Sequence, residues 1–220
     1  RRVSGVATGE AVVVAGRCDP RLNHQFEQYG ELLHTAFSDY RGAIISGGTK
    51  EGVSGMVGAV LARAKKEKRP AEGFSYLPAE LPSDGSATED KRFKHRRRMP
   101  VDTEGEAARA SDQRKLPGPF YPTIPIQMWI DLIHSGVDPK QVRLVGIDGG
   151  IISRFEFRLA TALGARVALI RGSGRAVHEI ARDAEAPGNE PIMLMPHDPQ
   201  TVREFVRGRP EPCPFTAGEL

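Results

Sequence analysis

"SGGTKEGVSGMVG", residues 46–58, places Gly47, Gly48, Gly52 and Gly55 around Thr49 and Lys50. The apolar run Gly42-Ala43-Ile44-Ile45 precedes it, and Val53, Met56, Val57, Val60 and Leu61 follow at helical spacing. A buried strand that breaks into a glycine turn and enters a helix predicts one strand–turn–helix unit of a parallel α/β sheet. Glycine lets backbone N–H groups approach an anion closely, and the helix start adds a partial positive charge. The fold and the candidate site both follow from how often this unit recurs.

It recurs along the chain. "AVVVAG" (11–16) reads as a buried strand before a helix with Phe26, Tyr29, Leu32, Leu33, Ala36 and Phe37 on one stripe. "RLVGID" (143–148) and "RVALI" (166–170) are strands separated by a helix carrying Phe155, Leu159, Ala162 and Leu163 on one face. "PIMLM" (191–195) is the last strand, and Asp198 with Pro199 behind it predicts a capped helix start. A further helix over 127–136 places Ile126, Trp129, Ile130 and Ile133 toward the core, with Gly136 ending it. The alternation predicts a Rossmann-like α/β fold: a parallel sheet with helices on both faces. Residues 67–122 break the rhythm. Rich in Pro, Gly, Ser and charge, they are expected to form a long, partly irregular insert, with the basic run 91–98 exposed on it or closing as a lid.

Composition limits the function classes. The 220 residues are 39% hydrophobic and 27% charged, ordinary for a globular protein, and are read as a single ligand-binding domain over 1–220. No apolar run approaches the ~20 residues that span a bilayer, and no leader pattern is seen. Cys18 and Cys213 form no CxxC pair, so a reducing, cytoplasmic setting is expected. The six histidines show no HxxxH or HExxH spacing, which argues against a metal site. A net charge of +3 is weak support for nucleic-acid binding. Because the chain opens at Arg1, it is expected to be a piece of a longer protein.

Unusual turns follow four strands: Gly16-Arg17, the turn from Gly47 to Val53, Gly149-Gly150-Ile151 with Ser153, and Gly172-Ser173-Gly174-Arg175. Ligands of open parallel sheets bind beyond the carboxyl ends of the strands. Each glycine alone is more often a turn residue than a ligand contact. Standard nucleotide motifs do not fit: Val53 stands where a P-loop needs Lys, and Val177 where GxGxxG needs its third glycine. Ser153 and Glu156 form S-x-x-E, a capping-box pattern that needs no ligand.

Three motifs in order, "IISGGTKEGVSGMVGAV", "VGIDGGIISRFEFRLATALGA" and "RGSGRAVHEIA", resemble the SLOG superfamily, in its branch similar to the N-terminal cytosolic domain of TRPM channels. The resemblance covers about 11–185. It implies a pocket for ADP-ribose, its cyclic isomers or another phosphate-containing nucleotide derivative, in a sensor of channels or of bacterial defence effectors. By position it assigns Gly47, Gly48, Thr49, Lys50, Gly52 and Val53 to a first phosphate turn. Gly149, Gly150, Ile151 and Ser153 form the second, Gly172, Ser173, Gly174 and Arg175 the third, with Gly16 and Arg17 a weaker match. No cofactor or metal is required; the implied partners are a small-molecule signal, a fused or partner effector and a second copy of the chain. The superfamily also contains cytokinin-activating phosphoribohydrolases with the pattern GGxGTxxE. Here Ile152 and Ser153 replace its third glycine and threonine while Glu156 is kept. An N-glycosidase using Glu156 is therefore the alternative to a non-catalytic sensor.

Overall fold

The computed structural model describes residues 11–17, 23–99, 120–184 and 192–208, without the side chains of 23–26, 175, 183 and 184. The strands are β1 (Ala11–Gly16), β2 (Ala43–Ser46), β3 (Glu72–Leu77), β4 (His95–Arg98), β5 (Arg143–Ile147), β6 (Arg166–Ile170) and β7 (Met193–Met195). They form one sheet in the order β4-β3-β2-β1-β5-β6-β7, and every neighbouring pair is parallel. The helices are α1 (Asn23–Ala36), α2 (Gly52–Lys66), α3 (Thr123–His134), α4 (Ile151–Ala162), α5 (Arg175–Ala184) and α6 (Pro199–Arg207).

Successive side chains of a strand point to opposite faces, and here both faces are covered. Val12 and Val14 of β1 pack with Leu32, Leu33, Val57, Leu61 and Val202, from α1, α2 and α6. Ala11, Val13 and Ala15 pack with Met128, Trp129, Phe157, Val177 and Ile180, from α3, α4 and α5. Burial on both sides explains why the central strands read as continuous apolar runs. Strand order reverses between β1 and β5, because β2 lies on one side of β1 and β5 on the other. Crevices for ligands open at such a reversal.

The helix signals at both ends of the chain's second half hold. Asp198 caps α6, its carboxylate accepting the Thr201 N–H and hydroxyl, each at 2.7 Å. Gly136 follows α3 with φ 85, the left-handed turn that ends a helix at little cost only in glycine.

Three expectations change. Residues 67–122 are irregular only in part, and hold two strands of the central sheet, β3 and β4, that spacing did not mark. Phe93, between them, is fully buried. The basic run is the edge strand β4 and the turn before it. Arg96 and Arg98 pair with Glu89 at 3.1 and 2.6 Å, Lys94 with Glu72 and Arg97 with Asp131, while His95 stacks on Phe74 at 4.4 Å. Charge on an edge strand blocks pairing with another chain; here acids of the same chain answer it, and no lid forms from it.

The stripe on α3 also differs. Trp129 is buried, but Ile126, Ile130 and Ile133 are 38%, 38% and 44% exposed, and Ile124, Met128 and Leu132 face the core instead. "TIPIQMWIDLIH" is apolar on nearly every side, so spacing alone permits either orientation. Buried Asp131 settles it: its carboxylate accepts the Tyr76 hydroxyl at 2.9 Å and Gln127 at 2.8 Å, and pairs with Arg97. Burial and the Asp131 charge raise the pKa of Tyr76. On α4, Phe157 and Ala160 are the fully buried residues, while Phe155, Leu159 and Leu163 are half-buried and Ala162 is exposed. Gly146 of β5 explains the rotation. A Cβ there would approach the Phe157 ring to 2.8 Å, so its absence makes the seat for that ring.

Candidate functional site

Four turns meet at the carboxyl ends of β1, β2, β5 and β6. Gly16 is the hub. It pairs with Ile147 across the β1–β5 reversal, and a Cβ on it would fall 2.1 Å from the Ile147 carbonyl and 2.6 Å from Val53. Arg17 continues the contact, its carbonyl accepting the Val53 N–H at 3.0 Å. The first turn and the start of α2 are thereby held against β5.

The glycine turn 46–52 is built largely from internal bonds. Ser46 Oγ donates to the Val14 carbonyl at 2.7 Å. The Gly48 N–H donates to Ser54 Oγ at 2.6 Å, and φ 86 at Gly48 turns the chain there. Thr49 is 1% exposed, and its hydroxyl donates to the Glu51 carbonyl at 3.2 Å. It points into the protein, where the phosphate-turn reading has it facing a ligand; Lys50 is exposed.

The connection between β3 and β4 braces this turn. The Lys50 N–H donates to the Thr88 carbonyl at 2.9 Å and the Asp90 N–H to the Gly48 carbonyl at 2.8 Å. Glu51 accepts the Thr88 N–H and hydroxyl at 2.8 and 2.6 Å. Arg92 grips buried Asp90 and donates to the Gly55 carbonyl at 3.0 Å. A Cβ at Gly58 would lie 2.0 Å from an Asp90 carboxylate oxygen. Gly58 thus serves packing of this loop on α2. Spacing could not separate that role from ligand contact.

The second turn opens α4. Gly150 is its N-cap and supplies no side-chain bond to the helix; the first N–H groups of a helix have no partner within it. Ile151 is 66% exposed and Ser153 is buried. Because the helix starts at Ile151, Ser153 is its third residue and Glu156 lies a turn further in. The capping box does not form. Glu156 is half-buried, no hydrogen bond or ion pair reaches it among the described residues, and burial pushes its carboxyl up to about 7.

The third turn is joined to the second by Asp148, which spacing assigned no role. The Asp148 N–H donates to Ser173 Oγ at 2.8 Å, and its side chain lies against Gly174. Gly149 would press a Cβ to 3.3 Å from Ala176 of α5. Tyr29 of α1 and His197 meet edge to face at 5.0 Å; burial and then the Asp148 charge raise the Tyr29 pKa. Asp followed by two glycines signals a left-handed turn, the one trace of this cluster in the sequence. Arg175 opens α5, and its side chain lies outside the described residues.

The turns from Gly16, Gly47, Gly149 and Gly172 thus lie along one edge of the sheet, with bonds joining Arg17 to Val53 and Asp148 to Ser173. No family model matches the chain, and no curated protein is similar to it in sequence. Solved structures are similar in fold. TM1055, a structural-genomics target, superposes with a TM-score of 0.55 at 17% identity over 86% of this chain and 94% of that one. The molybdenum cofactor carrier protein of Chlamydomonas reinhardtii gives 0.51 at 12% identity, over 90% and 99%. The molybdenum cofactor binding protein of Rippkaea orientalis gives 0.52 at 13%, over 92% and 98%. The chain shares their Rossmann-like fold.

Proposed function

We propose that this chain is a ligand-binding domain that holds a phosphate-containing nucleotide derivative, of the ADP-ribose or cyclic ADP-ribose kind, and reports its presence to a fused or partner effector. The start of α4 carries the proposal: at the β1–β5 reversal, Gly150 leaves the helix without a side-chain cap. A phosphate set there meets backbone donors and the positive end of the helix dipole. Two structural neighbours named for molybdenum cofactor carriage or binding favour holding a ligand over converting it, and put that cofactor among the ligands to try. A sensor needs no chemistry; it needs different affinities in two conformations.

Glu156 favours a second reading. A carboxyl titrating near pH 7 beside a phosphate turn suits a general acid, as an N-glycosidase would require. One experiment separates the two. The protein is melted with ADP-ribose, cyclic ADP-ribose, NAD, nucleoside monophosphates and molybdenum cofactor, and each mixture is then chromatographed. A sensor is stabilised by about 2.7 kcal/mol at about 100 times Kd and returns the ligand intact. Release of base or ribose phosphate would transfer the assignment to hydrolysis, and absence of any shift across the panel would sink both.

A further inference from the structure

Four large hydrophobic residues are exposed among the described residues, and three of them, Ile126, Ile130 and Ile133, lie on α3. Their i, i+4, i+7 spacing puts them on one stripe, opposite the core-facing Ile124, Met128 and Leu132. The stripe carries no charge. Asp131 is the only Asp, Glu, Lys or Arg in α3, and it is buried. A strongly acidic or basic partner therefore gains nothing from this face. Two copies of a chain with net charge +3 can meet on it without opposing like charges. The stripe also matches itself. With a rise of about 1.5 Å per residue, Ile126 and Ile133 lie about 6 and about 4.5 Å to either side of Ile130 along the axis. Two such helices, set antiparallel about a twofold axis at Ile130, place each Ile126 against the partner's Ile133.

We propose that the outer face of α3 is a homodimer interface, in which the isoleucine stripe packs antiparallel on the same stripe of a second copy of the chain. Area sets its strength. The 12 residues of α3 give a footprint of roughly 200 Å², while a stable interface takes about 800 Å² from each partner. The pairing therefore extends over α4, which packs beside α3 on the same face of the sheet and carries half-buried Phe155 and Leu159. Even two helices stay below the standard area, so the dimer is a weak one that dissociates on dilution. The pairing is independent of the ligand-binding reading.

Sedimentation velocity over a dilution series tests it on the whole chain. The wild type should run as a dimer when concentrated and as a monomer when dilute. Ile130→Glu should run as a monomer throughout, because the twofold axis would set two carboxylates together in an apolar seam. Ile130→Leu keeps the apolar volume and should keep the dimer. Ile130 is 38% exposed, so a glutamate there reaches water in the single chain, and circular dichroism reports whether the fold is kept. Ile126→Lys and Ile133→Glu test the register without touching Ile130. Each alone should lose the dimer, and the two mixed should regain it, because the lysine of one chain then faces the glutamate of the other. A wild type that stays monomeric at every concentration overturns the proposal, as does a folded Ile130→Glu that still dimerises. Failure of the mixed variants to associate overturns the antiparallel pairing.

Discussion

At Glu156 the direction of a pKa shift becomes a stability test. Its carboxyl rises from 4.5 to about 7 because burial disfavours the charged form. Between those values the folded protein keeps a proton that the unfolded chain releases, so stability falls as pH rises through the window. It is level below the window and above it. Full burial would set the loss at roughly 3 kcal/mol; a half-buried residue loses less. Glu156→Gln removes the penalty, so it should raise the melting temperature at about pH 8 and leave it unchanged at about pH 4.5. An unchanged melt at both pH values would mean that the carboxylate is solvated. Thr49 makes a different point. Since its hydroxyl faces the Glu51 carbonyl, Thr49→Val should lower stability by about 0.5–1.5 kcal/mol and leave ligand affinity unchanged, which urea unfolding beside calorimetric titration would resolve.

On α3, periodicity chose the wrong side of an almost uniformly apolar helix, and the two sides predict different energies. Ile130 is 38% exposed, so Ile130→Ala should cost under about 1 kcal/mol, against about 2–5 kcal/mol for a core isoleucine. Trp129, 2% exposed, should cost about 3–5 kcal/mol on truncation to alanine. Denaturant midpoints of the two variants distinguish the orientations directly. On α2 the glycines have a packing role. Gly58→Ala would push a Cβ into the Asp90–Arg92 pair, an overpacking expected to cost about 1–3 kcal/mol. Thermal melts would register it without any ligand present.

The sheet as a whole depends on the segment that first reads as an insert. Deleting 83–115 and bridging the gap would remove β4, buried Phe93 and the Thr88, Asp90 and Arg92 bonds to the glycine turn. Phe93 alone accounts for about 3–5 kcal/mol, a large share of the stability of an ordinary domain. The deleted protein should therefore lose its cooperative thermal transition. A variant that still melts sharply would show that β4 and its turn are dispensable. The same geometry couples the edge strand to the site, because the loop that carries β4 back to the sheet is the loop that braces residues 48–55. Among the described residues, no helix is long and apolar enough to cross a membrane.

Sequence alone determined the alternation of strands and helices, the strands β1, β2, β5, β6 and β7, and the glycine turns at their carboxyl ends. These are local facts: a strand buried on both faces must be apolar throughout, and a sharp turn must carry glycine or a tolerant substitute. β3 and β4 were not legible because "EGFSYL" mixes Glu, Gly and Ser with its apolar residues and "HRRR" is charged, and the strand state of "HRRR" depends on pairing with β3, on Glu89, and on Asp131, distant in sequence. The face of α3 was decided by Asp131 meeting Tyr76 across 55 residues. The same holds within the site. Spacing could place Thr49, Ser153, Glu156 and Gly174 near a crevice. Only the folded chain turned Thr49 inward, put Ser153 inside α4 rather than at its cap, and laid the Asp148 carboxylate against Gly174. The Asp148 contact is set by a neighbour brought from elsewhere in the chain, and local pattern carries no record of such a neighbour.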